Sequence, residues 1–338
     1  MEEVLRIEVI TRILIIRAGA LGDTILLFPT FAALRHRFPN ALIEAIGYPT
    51  PLSLALYAGY IDWIRSIDDA EMVGLFEEDG MISDRLRSSI GGADLIVAYC
   101  CDPNQTLRRN LHRYAPHARV LVVDPFPPTG LHAADWYLTP LRTLDIPPDG
   151  RIPRMVITRE DRASGQSFLT QHRCSLPVLA VHPGSGGKQK CWLTSCFAEV
   201  VDRFIDQRIH PLLICGPADR AVLGEVKAQL SQPDRVVYLE DLPLLKLAAV
   251  LSACDGFLGN DSGVTHLAAA VGCPTVALFG PTDPVVWGPR GRHVTILSCE
   301  GGWVDVDTVM ETLLRNTNLS TKITAGGTPY ETLDVSSR

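Results

Sequence analysis

Along the chain, short runs of β-branched and aliphatic residues alternate with longer stretches in which apolar residues recur every three or four positions. The first half reads ILIIR then TILLFPTFAALRHRF, LIEAIGY then PLSLALYAG, DLIVAY then a polar segment, and VLVVD. The second half repeats the theme with VLAVHPG, SCFAEVVDRFID, HPLLICGP, AVLGEVKAQL, RVVYLED, PLLKLAAVLSAC, DGFLGND, SGVTHLAAAVG, PTVALFGP and HVTILS. A strand that is apolar on both faces needs cover on both, which helices supply in a parallel sheet, so the alternation predicts βαβ units and an α/β fold. Two doubly wound, Rossmann-like sheets in tandem accommodate the two series more economically than one large sheet. Ligands in such sheets bind beyond the carboxyl ends of the strands, and two facing domains would put their binding edges across one cleft.

Interruptions in the pattern set the expected boundaries. Pro140, Pro147, Pro148, Gly150 and Pro153 crowd residues 138 to 176, which predicts an irregular linker and divides the chain into domains at 1–165 and 166–315. Pro29 lies inside the first helical pattern, where its ring and missing N–H kink or split a helix. VDVDTVMETLLRN opens with acidic and threonine residues suited to capping and predicts a closing helix. Residues 316–338 are polar, rich in Thr, Ser and Gly, and without period, which predicts a disordered tail.

Composition narrows the class. A length of 338 residues suits two domains of roughly 150 each. The net charge of −7, with no basic tail or stripe, gives no reason to expect nucleic acid as a partner. MEEVLRIEVITR lacks the apolar core and small-residue cleavage site of a signal peptide, and every apolar run is broken before the roughly 20 residues a spanning helix needs. A cytoplasmic location is expected, with peripheral contact at the inner face of the membrane left open. Nine cysteines, an odd number with no CxxC pair, fit a reducing compartment. Cys215, Cys254 and Cys273 sit in apolar runs as small hydrophobes, and the adjacent Cys100 and Cys101 lack the second cluster that a metal site needs.

Three stretches carry residue types suited to chemistry. In IIRAGALGDTILLFP, a dinucleotide fingerprint would need a glycine at Arg17; only Gly19 and Gly22 match, although Glu44 falls about where a ribose-binding acid belongs. Asp23 reads two ways there, as an N-cap of the following helix or as a carboxylate at the strand edge able to take a proton from an attacking hydroxyl. PGSGGKQKCW is not a P-loop, since His182 and Gln189 occupy two of its obligatory positions. It still offers a glycine-rich turn, Gly184 and Ser185, with Lys188 and Lys190 for phosphate, or a solvated loop. GNDSGVTHLAAAVGCPTVALFGPTDP places Asp261, Ser262 and Gly263 at a helix start, where N–H groups and the dipole favour an anion. His266 lies one turn in, and the Gly280, Pro281, Thr282 turn could line a nucleobase pocket.

Taken in order, R-x-G-x-L-G-D, H-P-G-S with Lys190 before Trp192, N-D-S-G-x-x-H and F-G-P-T-D-P resemble glycosyltransferase family 9, the ADP-heptose:lipopolysaccharide heptosyltransferases, over about residues 12 to 315. The resemblance implies a GT-B fold, with an N-terminal acceptor domain, a C-terminal sugar-nucleotide domain and a closing helix that returns toward the first. It also implies an inverting transfer of heptose from ADP-heptose to a lipid-linked or lipopolysaccharide core acceptor, with no cofactor and no tightly bound metal. By the same resemblance Asp23 matches the catalytic base, beside Gly22, and Lys190 the lysine that binds the donor phosphates, with Gly184 and Ser185 next to it. Asp261 matches a contact to the heptose, Ser262 and Gly263 phosphate contacts, and His266 a support of the same site. Asp219 matches an acidic ribose contact and Leu242 an adenine contact. Two departures are Leu193, where a proline usually follows the tryptophan, and Lys188, a second candidate for the phosphate role.

The acceptor side is thinner. Arg17, Arg108, Arg109 and Arg113 suit anionic groups of an acceptor, or a solvated helical face. A sugar-nucleotide epimerase of the same fold, a transferase with another nucleotide-sugar donor, and a binding protein in which Asp23 is only a cap are the competing readings.

Overall fold

The apolar runs become the strands of two parallel sheets in a computed structural model that describes residues 10–147, 152–174, 177–299 and 301–320. In the first half the elements follow as β1 (Arg12–Ile16), α1 (Leu21–Leu26), α2 (Phe28–Arg37), β2 (Leu42–Gly47), α3 (Pro49–Tyr57), β3 (Trp63–Ser66), α4 (Val73–Phe76), α5 (Asp84–Gly91), β4 (Leu95–Tyr99), α6 (Thr106–Tyr114), β5 (Arg119–Val123) and α7 (Ala133–Leu138). The second half has α8 (Arg159–Gln171), β6 (Val178–His182), α9 (Thr194–Asp206), β7 (His210–Cys215), α10 (Arg220–Gln229), β8 (Val237–Glu240), α11 (Leu244–Ala253), β9 (Gly256–Asn260), α12 (Gly263–Ala270), β10 (Thr275–Phe279), α13 (Pro284–Trp287), β11 (Val294–Ser298) and α14 (Val306–Asn316).

The first sheet has the order β3-β2-β1-β4-β5 and the second β11-β10-β9-β6-β7-β8, with every pairing parallel. Counted within its own unit, each follows the doubly wound order 3-2-1-4-5, extended by a sixth strand in the second. The central strands β4, β6, β9 and β10 are buried at every position, which is why they read as unbroken apolar runs. Edge strand β3 has Trp63 and only one fully buried residue, so it carried no such signal. Each sheet has its own core: Leu14, Ile16, Ile96 and Leu111 in the first unit, Val181, Phe197, Leu258 and Leu278 in the second.

Pro29 splits the first helical pattern as expected. Leu27 ends α1 and begins α2, placing Pro29 in the first turn of α2, where its missing N–H has no intrahelical partner to lose.

The linker region differs from its sequence reading. The chain divides into two compact units between Pro153 and Arg154, whereas a boundary at 165/166 would cut α8 in two. That helix starts from Thr158, whose hydroxyl accepts the N–H of Asp161 while the Asp161 carboxylate accepts the N–H of Thr158, a reciprocal cap. It packs on α11, and Met155 N–H donates to Ala270 O at 3.0 Å, so this segment belongs to the second unit. At the other end α14 forms as expected, capped by Asp305 on the N–H of Thr308, and packs on α9 and β10. The chain just beyond it packs on the second unit: Thr317 and Leu319 are buried, and Asn318 N–H donates to Asp255 O. The readings of residues 1–9, of Pro148 and Gly150, and of the tail from residue 321 lie outside the described residues.

Candidate functional site

In each sheet the first strand of the unit sits between strands that continue in opposite directions, β1 beside β4 and β6 beside β9. The loops leaving the carboxyl ends of such a pair diverge and open a crevice, the usual ligand site of a doubly wound sheet. The three stretches singled out in the sequence leave the carboxyl ends of β1, β6 and β9, and the Gly280–Thr282 turn leaves β10 beside them.

In the first unit Asp23 does not occupy the N-cap position. Ala20 does, with extended backbone angles, and Asp23 stands at the third helical position with its Oδ2 accepting the N–H of Ala20 at 3.0 Å. The cap therefore exists, but it reaches backward from inside the helix. Gly22 precedes it in the same turn. The other carboxylate oxygen, Oδ1, accepts from Arg17 Nη2 at 3.0 Å. The same nitrogen lies 3.1 Å from the Tyr137 hydroxyl, which donates to Pro125 O at 3.0 Å. Burial pushes the Tyr137 hydroxyl up to about 12, with Arg17 pulling the other way, so the phenol keeps its proton. Arg17 is 10% exposed and Asp23 30%. The guanidinium is thus buried as a clamp while the carboxylate still faces solvent. Gly19 permits this packing, since a Cβ there would stand 2.7 Å from the Asp23 Cβ.

In the second unit the sequence candidates converge on Asp261. Lys190 Nζ donates to its Oδ2 at 2.9 Å, Thr282 Oγ1 donates to the same oxygen at 2.8 Å, and Ser185 Oγ donates to its main-chain oxygen at 2.6 Å. Three loops, those after β6, β9 and β10, therefore meet at Asp261, with Lys190 and Thr282 on its carboxylate and Ser185 on its main chain. Lys190 remains 33% exposed and Asp261 8%. Ser262 caps α12, its hydroxyl accepting the N–H of Thr265, so Gly263 opens the helix with its N–H groups beside the cluster.

Beneath the cluster runs a polar network that sequence reasoning missed. His182, at the end of β6, directs Nε2 to Asp219 Oδ2 at 3.1 Å and Nδ1 to Ser262 Oγ at 3.1 Å. Burial works against the Asp219 carboxylate. The hydrogen bond and charge of His182, with the N–H groups of Gly216 and Ser185, outweigh it and hold the carboxyl below its ordinary range. Gly184 is obligatory here, because a Cβ would fall 2.2 Å from that carboxylate. Asn260, fully buried, accepts the N–H of Trp192 at 3.0 Å and donates to Pro183 O at 2.7 Å, fixing the Ser185–Lys190 loop to β9. The sequence signal was the asparagine closing an apolar strand, where no aliphatic neighbour explains it.

The remaining candidates are placed as follows. Lys188 is exposed, and it is Lys190 that reaches Asp261. His266 is buried within α12. Leu242 is half-buried in the loop between β8 and α11, Gly280 and Thr282 are half-buried, and Pro281 is exposed. Glu44 is no ribose contact: it is buried in β2 and paired with Arg65 at 3.0 Å. Arg108 donates to Val122 O and Arg109 to Asn104 O, while Arg113 lies against exposed Asp79 and the Tyr114 ring. Arg109 and Arg113 thus lie on the solvated helical face that was the plainer expectation. None of the nine cysteines is in a disulfide, and burial pushes the Cys100 thiol up to about 11. Among the described residues no group of three His, Cys, Asp or Glu side chains is placed to hold a metal ion.

Comparison with known proteins follows the same outline. The family model described as "Glycosyltransferase family 9 (heptosyltransferase)" matches residues 133–315, just over half of the chain. Lipopolysaccharide heptosyltransferase 2 of Escherichia coli (strain K12) is 22% identical over 319 residues, 86% of this chain and 89% of that one. Lipopolysaccharide heptosyltransferase 3 of Escherichia coli is 31% identical over 118 residues, a match spanning 34% of this chain and about a third of the relative, 35%. Among solved structures, a glycosyl transferase family 9 protein from Veillonella parvula DSM 2008 superposes with a TM-score of 0.75 at 21% identity, covering 93% of this chain and 97% of that one.

Proposed function

The chain belongs to glycosyltransferase family 9, and on that footing we propose that it is an inverting transferase of GT-B architecture, moving a heptose from ADP-heptose to a hydroxyl of a lipopolysaccharide core or related glycan acceptor. The observation that carries this reading is the convergence of Lys190, Ser185 and Thr282 on Asp261 beside the start of α12, at the strand ends where a doubly wound sheet binds its ligand.

The chemistry follows from the residue types. Asp23 takes the proton of the acceptor hydroxyl as its oxygen forms a bond to the anomeric carbon. The bond from that carbon to the diphosphate breaks on the opposite face, and its electron pair leaves with ADP. The negative charge that grows on the diphosphate meets Lys190 and the N–H groups at the start of α12, which are already oriented and need no rearrangement as the bond breaks. In this mechanism side-chain and main-chain positive charge does the work of a divalent ion. Asp261, held by three donors, then faces the sugar hydroxyls, and Asp219 and Leu242 lie toward the nucleoside. Arg17 keeps the base aimed, and each carboxylate oxygen retains a lone pair for the incoming hydroxyl.

The wider setting belongs to the same proposal. No helix among the described residues is long and apolar enough to cross a membrane, so a lipid-linked acceptor would be met by surface contact on the cytoplasmic side.

Calorimetric titration with ADP, UDP and GDP tests the reading, followed by ADP with the Lys190→Ala variant. Selective ADP binding that weakens on loss of Lys190 is expected. Preference for UDP or GDP would replace the donor and leave the transferase standing, and binding of no nucleotide would overturn the proposal.

A further inference from the structure

A second charged cavity lies at the opposite edge of the second sheet. On the donor side Asp219 follows the carboxyl end of β7, whereas His210 and Pro211 begin that strand, at its opposite end roughly 20 Å away. Around His210 and Pro211 opens a cavity of about 450 Å³ whose rim is formed by Arg173, Arg208 and Arg235. The three arginines come from three separate elements: Arg173 two residues past the end of α8, Arg208 two residues past the end of α9, and Arg235 in the 3-10 turn Pro233–Arg235 before β8. Among the described residues no acidic side chain lines the cavity.

Several observations separate this cluster from ordinary surface charge. Among the described residues none of the three guanidinium groups has an ion pair, and Arg235 bonds only to the neutral amide of Gln232, at 3.2 Å. Of the acids on the neighbouring elements, Asp206 accepts from Gln232 and Asp202 from Ser231 N–H, while Asp234 is exposed in the same turn as Arg235 and is not among the residues lining the cavity. Arg173 and Arg208 both adopt left-handed backbone conformations, with φ of 55° and 62°, at positions where glycine or asparagine ends a helix without strain. Helix C-termini do favour positive charge, but that accounts for each arginine separately and not for their arrangement about one cavity. The His210 Nε2 is buried with no hydrogen-bond partner among the described residues, an unmet polar atom that costs free energy until something occupies it.

We propose that this cavity binds a phosphate group, held by the forks of Arg173, Arg208 and Arg235 with His210 as an additional donor. Guanidinium forks match phosphate oxygens in pairs, and three positive charges in a chain of net charge −7 make a local anion trap. The phosphate is either that of a small soluble molecule or the headgroup of an anionic lipid, and the site is independent of the donor reading because it occupies the other edge of the sheet.

The test follows the His210 ring by NMR in the full chain while inorganic phosphate is added. Burial, and then Arg235, hold its pKa below the usual histidine value, and a bound anion raises it. A saturable shift of the His210 signals that is lost at least tenfold in affinity in Arg208→Ser/Arg235→Ser, with the melting temperature retained, is the expected result. Should that double variant fail to fold, Arg173→Ser, exposed and outside the core, serves in its place. Pelleting with phosphatidylglycerol vesicles, competed by phosphate and absent with phosphatidylcholine, assigns the headgroup; phosphate binding without pelleting assigns a soluble ligand. His210 signals that ignore both probes, or respond equally in the variants, overturn the proposal.

Discussion

The Arg17 guanidinium lies 3.0 Å from the Asp23 carboxylate, and the same nitrogen touches Tyr137, 120 residues away in the chain. An arginine so placed fixes the direction of the carboxylate. Asp23→Asn keeps an oxygen for the Ala20 N–H but cannot take a proton. It should lower kcat by about 10²- to 10⁴-fold with donor affinity and melting temperature unchanged. Transfer within about fivefold of the parent chain would leave Asp23 as a cap only.

Tyr137→Phe removes the hydroxyl that Arg17 and Pro125 O share. Losing one such hydrogen bond is worth about 1 kcal/mol, so kcat should fall about fivefold while the KM for donor stays constant. A rise in KM instead would mean that Tyr137 contacts substrate.

Lys190 is paired with Asp261 yet a third exposed, so it can exchange the carboxylate for a diphosphate. Lys190→Ala should cost about 10²- to 10³-fold in kcat and weaken ADP binding, whereas Lys188→Ala should change either by less than about threefold. Chelation with EDTA should leave the rate of the parent chain unaltered; abolition of the rate that Mg²⁺ restores would transfer the charge role to a metal.

Gly184→Ala drives a methyl group into the Asp219 carboxylate. Overpacking of this kind costs about 1–3 kcal/mol and also displaces the loop carrying Ser185 and Lys190. Denaturant unfolding followed through Trp192, buried in the second unit, should show the loss, and an unchanged midpoint would contradict the contact.

Asp219 gives a pH signature. Its carboxyl is held below the ordinary value in the folded chain, so the stabilisation it contributes is present above the unfolded pKa of about 3.9 and disappears as the pH falls through the folded one. Asp219→Asn should therefore melt lower than the parent at pH 7 and converge with it in strong acid. An equal deficit at every pH would remove ionisation from the explanation.

The elements most legible in the sequence were those whose physics is local or periodic. Strands buried on both faces declared themselves as apolar runs, and Ser262, Asp305 and Pro29 marked helix starts through chemistry confined to one turn. Helix α8 was hidden because its only fully buried positions are Gly165, Phe168 and Leu169, too few for an apolar stripe, and because prolines precede it. The position of Asp23 was misjudged by one turn, since a backward-reaching carboxylate and an N-cap leave the same sequence trace. Lys190, Asp261 and Thr282 were each legible in their motifs, but their meeting on one oxygen was not. Tyr137, and the link from His182 to Asp219, depend on chain segments brought together only by the sheet order, for which no short motif exists.

The packing of Thr317 and Leu319 has a practical consequence. Thr317 rests against Gly256, at the amino end of β9, so this segment lies at the edge of the sheet opposite Lys190 and Asp261. A tether attached at Ser320 would hold that amino edge toward a sensor surface and present the donor edge to solution. Nucleotide binding could then be followed on immobilised protein, whereas the arginine cavity, which shares the tethered edge, is better studied with the tether removed.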